Sequence, residues 1–150
     1  MIYNDLIDDI KSADYVLFGL GKEIYSSDDT EIYDNLKKLF ASMEHVNYFI
    51  VSTDKAGTIR NCGLNERRIV CPVNENNAEE EEKQWDFYNK WLSATLAKKL
   101  LVIEIGEGFN NPNLIRWPFE RIVMINDKAH FYRVHSTFYQ IPKEIADKAC

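Results

Sequence analysis

Leu100-Leu-Val-Ile-Glu-Ile-Gly106 decides the fold class of this chain. Apart from Glu104 it is an unbroken apolar run that ends in glycine. A strand with one wet face alternates apolar and polar residues, whereas a strand covered on both faces reads as a continuous run. Before it, Glu80 to Ala97 carries Trp85, Tyr88, Leu92 and Leu96 at helical spacing, with Phe87 and Trp91 beside the stripe. After it, Pro112 suits the first turn of another helix, Pro118 is expected to end or kink that helix, and Phe131 to His135 is the next strand. Further upstream lie two more buried runs, Tyr15-Val-Leu-Phe-Gly-Leu-Gly21 and Tyr48-Phe-Ile-Val-Ser52, and a short strand from Arg68 to Cys71. Helices are expected from Asp5 to Ser12 and after the capping pair Asp28 and Asp29, where Ile32, Leu36, Leu39, Phe40 and Met43 share a face. The alternation predicts an α/β protein, a Rossmann-like three-layer sandwich with a mainly parallel sheet.

With 150 residues, 45% of them hydrophobic, the chain has the size of one domain with a real core, spanning 1–150. A net charge of −6 argues against nucleic acid as a partner, because phosphate binding needs clustered Lys and Arg. No stretch is long enough to span a membrane, and the first residues carry acids where a secretory signal carries positive charge, so the expected location is cytoplasmic. Cys62, Cys71 and Cys150 form no CxxC pair, so neither a disulfide framework nor a zinc site is expected. Glu79 to Glu82 reads as an exposed acidic entry to a helix, where carboxylates complement the dipole.

In parallel sheets ligands collect at the carboxyl ends of the strands. The glycines fall there: Gly19 and Gly21, Gly57, and Gly106 and Gly108. Glycine at a strand end lets backbone N–H groups approach a phosphate. Gly19-Leu-Gly21 is an incomplete dinucleotide fingerprint, since Ile24 stands where a third glycine belongs.

The stretch Leu101 to Glu120, Leu-Val-Ile-Glu-Ile-Gly-Glu-Gly-Phe-Asn-Asn-Pro-Asn-Leu-Ile-Arg-Trp-Pro-Phe-Glu, is more specific. It resembles the sirtuins, most closely their microbial macrodomain-associated branch, in which a strand ends in a glycine loop, an Asn-x-Pro turn and an Ile-Arg-x-Pro-Phe-Glu helix. Asp14 to Gly21 looks like the strand and loop that open the sirtuin NAD site. Tyr48 to Gly57 looks like the strand leading to the family's Thr-Gln-Asn-x-Asp-Gly motif. Asn61-Cys-Gly63 stands where the family has its catalytic His-Gly, and Arg133-Val-His135 looks like its late nucleotide-contacting strand. The resemblance is strong in the C-terminal half and loose before it, and the zinc ribbon is missing. It implies NAD or ADP-ribose as ligand, held by Gly19, Leu20, Gly21, Ser52, Gly106, Glu107, Gly108, Asn110 and His135.

The departures point to a degenerate site. Cys62 replaces the family's general-base histidine, Asp54 its NAD-orienting Asn, Ala56 an Asp, and His135 the ribose-binding Asn. Cys62 and Asp54 are therefore the candidate catalytic positions, and deacylation is expected to be weak or absent. A thiol acts as a base only if its pKa falls toward neutrality. His45 and His130 border strands and read as surface residues. Arg116 and Glu120, one helical turn apart, read as an i,i+4 ion pair, and Trp85, Tyr88, Trp91 and Trp117 as core or a partner-facing patch. Three functions follow: a nucleotide-binding domain with little catalysis; an active NAD-dependent deacylase, ADP-ribosyltransferase or NAD hydrolase; or an interaction module whose apolar face serves a homo-oligomer or a protein partner.

Overall fold

The computed structural model describes residues 8–21, 46–53, 66–72, 78–105 and 115–134. Within them the apolar runs pair as β1 (Tyr15–Leu20), β2 (Tyr48–Ser52), β3 (Ile69–Val70), β4 (Leu100–Ile105) and β5 (His130–Val134). They form one five-stranded sheet in the order β3-β2-β1-β4-β5, and every pairing is parallel. Parallel neighbours need crossover connections. Helix α1 (Ala78–Ala94) lies between β3 and β4 in the chain, and α2 (Arg116–Ile125) between β4 and β5.

Alternate residues of each strand serve opposite faces, and both faces are dry, which is why the strands read as unbroken apolar runs. Val16, Phe18 and Leu20 join Ile50, Ile69, Leu101 and Ile103 on one face, against Ile10 from helical residues 8–12. Leu17, Phe49, Val51, Val102 and Phe131 line the other, under Tyr88 of α1 and Ile115, Phe119 and Val123 of α2. Helical segments thus cover both sides of the sheet, giving the expected three-layer α/β architecture.

Three local expectations need correction. Helix α1 stops at Ala94, short of Ala97: the Thr95 N–H bonds the Leu92 carbonyl, Ala97 takes φ 60°, and the Lys98 N–H bonds the Thr95 carbonyl. The buried Asn126 amide holds this turn by donating to the Thr95 and Lys98 carbonyls at 3.0 and 3.3 Å. Leu96 therefore leaves the helical stripe and is exposed. Second, the acidic run is not wholly solvated. Glu81 lies one turn before Trp85 on the inward face; it is buried and accepts the Cys71 N–H at 3.3 Å, while Glu79, Glu80 and Glu82 are exposed. Third, Pro118 does not end a helix. It is the third residue of α2, where a missing N–H is harmless because the first turn has no acceptor for it.

α1 is fastened by its aromatic stripe. Tyr88 packs on Phe49 and Trp85 at centroid distances of 5.3 and 5.0 Å. The Trp91 indole N–H donates to Asn47 Oδ1 at 2.7 Å, and Arg68 donates to the same oxygen at 2.7 Å. Burial pushes the Tyr88 phenol far above its ordinary range, and Tyr48 is raised by the same cause against the opposing charge of Arg68. Folded Tyr88 thus keeps its proton where the unfolded chain releases it. Its contribution is fully present below pH ~10 and falls by about 1.4 kcal/mol per pH unit above that. Urea unfolding at pH 9 and pH 11 should show the natural chain losing about 1.4 kcal/mol more than Tyr88→Phe. An equal loss in both would show that the phenol ionises freely in the fold.

Candidate functional site

The carboxyl ends of the strands are level. Leu20 is opposite Ser52 on one side and Ile105 on the other, and Ile105 is opposite Val134. The ladder runs slightly further: the Gly21 N–H donates to the Ile105 carbonyl at 2.8 Å, and the Thr53 N–H to the Leu20 carbonyl at 3.1 Å. From β1 the chain builds β2 and β3 to one side, then places β4 and β5 on the other. Strand order reverses between β1 and β4, and in open parallel sheets the crevice outside such a switch point is where ligands bind. The two strands that flank it lead into Gly21 and Gly106.

Of the candidate residues, Gly19, Leu20, Gly21 and Ser52 lie in the described part. Gly19 sits inside β1, opposite Val51 and Glu104, rather than in the turn after it. A Cβ there would stand 2.5 Å from Phe119 Cε2 and 2.6 Å from Ile115 Cγ2, so glycine lets α2 lie close on the sheet. The Leu20 side chain is fully buried among the strands. Ser52 ends β2 and is buried, and Gly21 bonds β4 through its N–H. Asp54, Cys62, Gly106, Glu107, Gly108, Asn110 and His135 lie outside the described residues, as does Gly57. His130 is exposed at the start of β5.

One residue set was missed in the sequence. Arg133 of β5 donates through Nε to Glu104 Oε1 at 2.8 Å and through Nη2 to Glu104 Oε2 at 3.1 Å. The same Nη2 reaches Glu120 Oε2 of α2 at 2.6 Å. The side chains of Arg133 and Glu104 are fully buried. Burial acts to lower the Arg133 pKa, but hydrogen bonds and charge from Glu104 and Glu120 outweigh it, so the guanidinium is held above its ordinary value. Glu120 thus reaches from α2 to Arg133 on the sheet face that the helix covers, and the side chain of Arg116 lies outside the description. The available signal was one acid in the apolar β4 and one arginine in the adjoining strand. The cluster ties the carboxyl-end halves of β4 and β5 to α2. Both carboxylates serve the guanidinium and are poorly placed to act as bases.

Among the described residues, no group of His, Cys, Asp or Glu converges to hold a metal ion. No described helix is long and apolar enough to cross a membrane. Cys71 is buried just past β3, its backbone N–H bound to Glu81. A cavity of 360 Å³ lies at the other edge of the sheet, around the amino ends of β1, β4 and β5.

An open parallel sheet with its switch point between β1 and β4 defines the class of protein. Comparison of the chain with known proteins adds two partial relatives. Over 61 residues it is 31% identical to a protein ADP-ribosyltransferase of Staphylococcus aureus (strain Mu50), covering 41% of this chain and 19% of that protein. Over 51 residues it is 41% identical to a probable bifunctional ADP-ribose hydrolase/ADP-ribosyltransferase of Fusarium oxysporum f. sp. cubense, covering 33% of this chain and 8% of that protein. The chain therefore spans less than a fifth of either curated relative. No protein-family profile matches the chain.

Proposed function

We propose that this domain binds an ADP-ribosyl nucleotide, NAD or ADP-ribose, in the crevice outside the carboxyl ends of β1 and β4. The observation that carries this reading is the strand order, which reverses between the two strands that lead into Gly21 and Gly106. The partial relatives support the ligand class, since both are named for ADP-ribose chemistry. On the sirtuin-like reading, Gly106, Glu107, Gly108 and Asn110 would contact the nucleotide, together with Gly21, Ser52 and His135. The clamp of Arg133 on Glu104 and Glu120 ties β4 and β5 to α2, the elements that precede and follow residues 106–114 in the chain. NAD, when bound, would supply the activated ribosyl–nicotinamide bond. The chain's own residues would orient the nucleotide and exclude water.

Cys62 and Asp54 make deacylation weak. An unperturbed thiol leaves only a few per cent thiolate at pH 7, and general-base assistance is worth ~10²–10⁴ in rate. A second reading, ADP-ribosyl transfer to a protein, is favoured by the names of the relatives. Calorimetric titration with NAD and with ADP-ribose tests the binding. A saturable isotherm is expected, weakened about tenfold or more by Gly106→Val, as a side chain there blocks close approach of the phosphate. No heat with either nucleotide would leave the domain as an interaction module. Nicotinamide release with an acylated peptide is expected only from Cys62→His combined with Asp54→Asn. Release by the natural chain, with label transferred to a protein, would establish the transferase reading instead.

A further inference from the structure

The cavity at the amino ends of the strands lies about 17 Å from the nucleotide crevice, the length of a six-residue strand. Its volume of 360 Å³ falls within the range of small-molecule sites, roughly 300–1,000 Å³. Its floor is apolar: Leu100 and Leu101 are 1% and 2% exposed. Its rim is basic, with Lys99, Lys128 and His130, on a chain whose net charge is −6. One acid, Asp9, also lines the cavity, and Asp14 lies beside Lys99; each accepts a hydrogen bond from a neutral donor. Asp9 accepts the Tyr132 hydroxyl, and Asp14 accepts the backbone N–H of Lys99 at 3.1 Å. Among the described residues, neither the Lys99 nor the Lys128 ammonium stands in an ion pair. Ser12, also on the rim, offers a hydroxyl.

Two ammonium groups that have no ion-pair partner among the described residues, set over an apolar floor, attract an anion more strongly than the same groups on an open surface, because the nearby low-dielectric wall limits screening. The floor rewards an apolar body attached to that anion. We propose that this cavity is a second binding site, for a small organic anion with an apolar body, whose head group sits between Lys99 and Lys128. It is independent of the nucleotide crevice, since it is built from the opposite ends of the same strands.

The test is amide NMR on the whole chain, titrated with phenyl phosphate, with inorganic phosphate and with benzyl alcohol. Phenyl phosphate should shift the amide signals of Ser12, Leu101 and Lys128 in a saturable way, more weakly as salt is raised. Inorganic phosphate and benzyl alcohol should each bind about tenfold more weakly or worse, as each lacks one half of the recognition. Lys99→Met combined with Lys128→Met should weaken phenyl phosphate about tenfold or more, while the thermal unfolding midpoint stays put because both side chains are exposed. Shifts confined to Gly21 and Ile105, no shifts at all, or unchanged binding by the double variant would each overturn the proposal. ADP-ribose at saturation should leave the Ser12 and Lys128 response intact. A shared, competitive response would merge the two sites and also overturn it.

Discussion

Arg133→Met is expected to destabilise the fold by about 3–5 kcal/mol, the usual result of removing one partner from a buried ion pair. Glu104 is 0% exposed and receives two of the guanidinium's hydrogen bonds, so the substitution leaves a carboxylate in the core without its main counter-charge. Surface ion pairs contribute at most about 1 kcal/mol, so the size of the effect separates the two situations. Arg133→Lys should recover only part of the loss, because an ammonium cannot reproduce the bidentate fork that meets Glu104 while also reaching Glu120. Replacing all three residues by apolar ones of similar volume should recover most of it, since charges that are absent need no compensation. Urea unfolding of the four proteins, compared at constant slope, measures this. A loss under about 1 kcal/mol for Arg133→Met would show that water reaches the cluster.

Gly19→Ala is the second large effect, and here two terms of opposite sign compete. In a strand interior, alanine should be favoured over glycine by about 0.5–1 kcal/mol through chain entropy. Against this, the new Cβ meets Phe119 and Ile115 at 2.5 and 2.6 Å, and both side chains are themselves buried. Overpacking of this kind costs about 1–3 kcal/mol, so net destabilisation is expected, with Gly19→Val worse. Phe119→Leu is destabilising alone but should lessen the harm of Gly19→Ala in the double variant, giving a favourable coupling of about 0.5 kcal/mol or more. A stabilised Gly19→Ala would mean that α2 sits further from β1 than the structure has it.

The parallel sheet was legible because covering both faces forces strands such as Leu100–Ile105 to be apolar at nearly every position. Strand order was not, because nothing local in Tyr15–Leu20 tells it to pair with a partner 85 positions later. Gly19 shows the same limit at a single residue. A glycine before a loop and a glycine beneath a crossing helix look alike until the helix is in place. Glu81 and Glu104 were hidden by composition, one inside an acidic run and the other inside an apolar one. Their burial depends on partners, the Cys71 N–H and Arg133, that lie elsewhere in the chain. At the candidate site, the parallel sheet, and with it a common carboxyl edge, followed from the strand pattern. The roles of Asp54, Cys62 and His135 rest on resemblance, since no apolar periodicity in the sequence fixes what a polar side chain touches.

The central place of β1 has a consequence for biosynthesis. Its β4-facing edge is completed only after the ribosome has added the 85 residues that separate Asp14 from Lys99, roughly 4–17 s at ordinary rates of translation. Through that interval an apolar strand of the nascent chain presents an open row of hydrogen-bonding groups, the kind of edge that recruits strands from other molecules. Slow or interrupted translation between residues 20 and 105 therefore exposes this protein to aggregation more than the same delay further along, and chaperone demand should peak before β4 emerges.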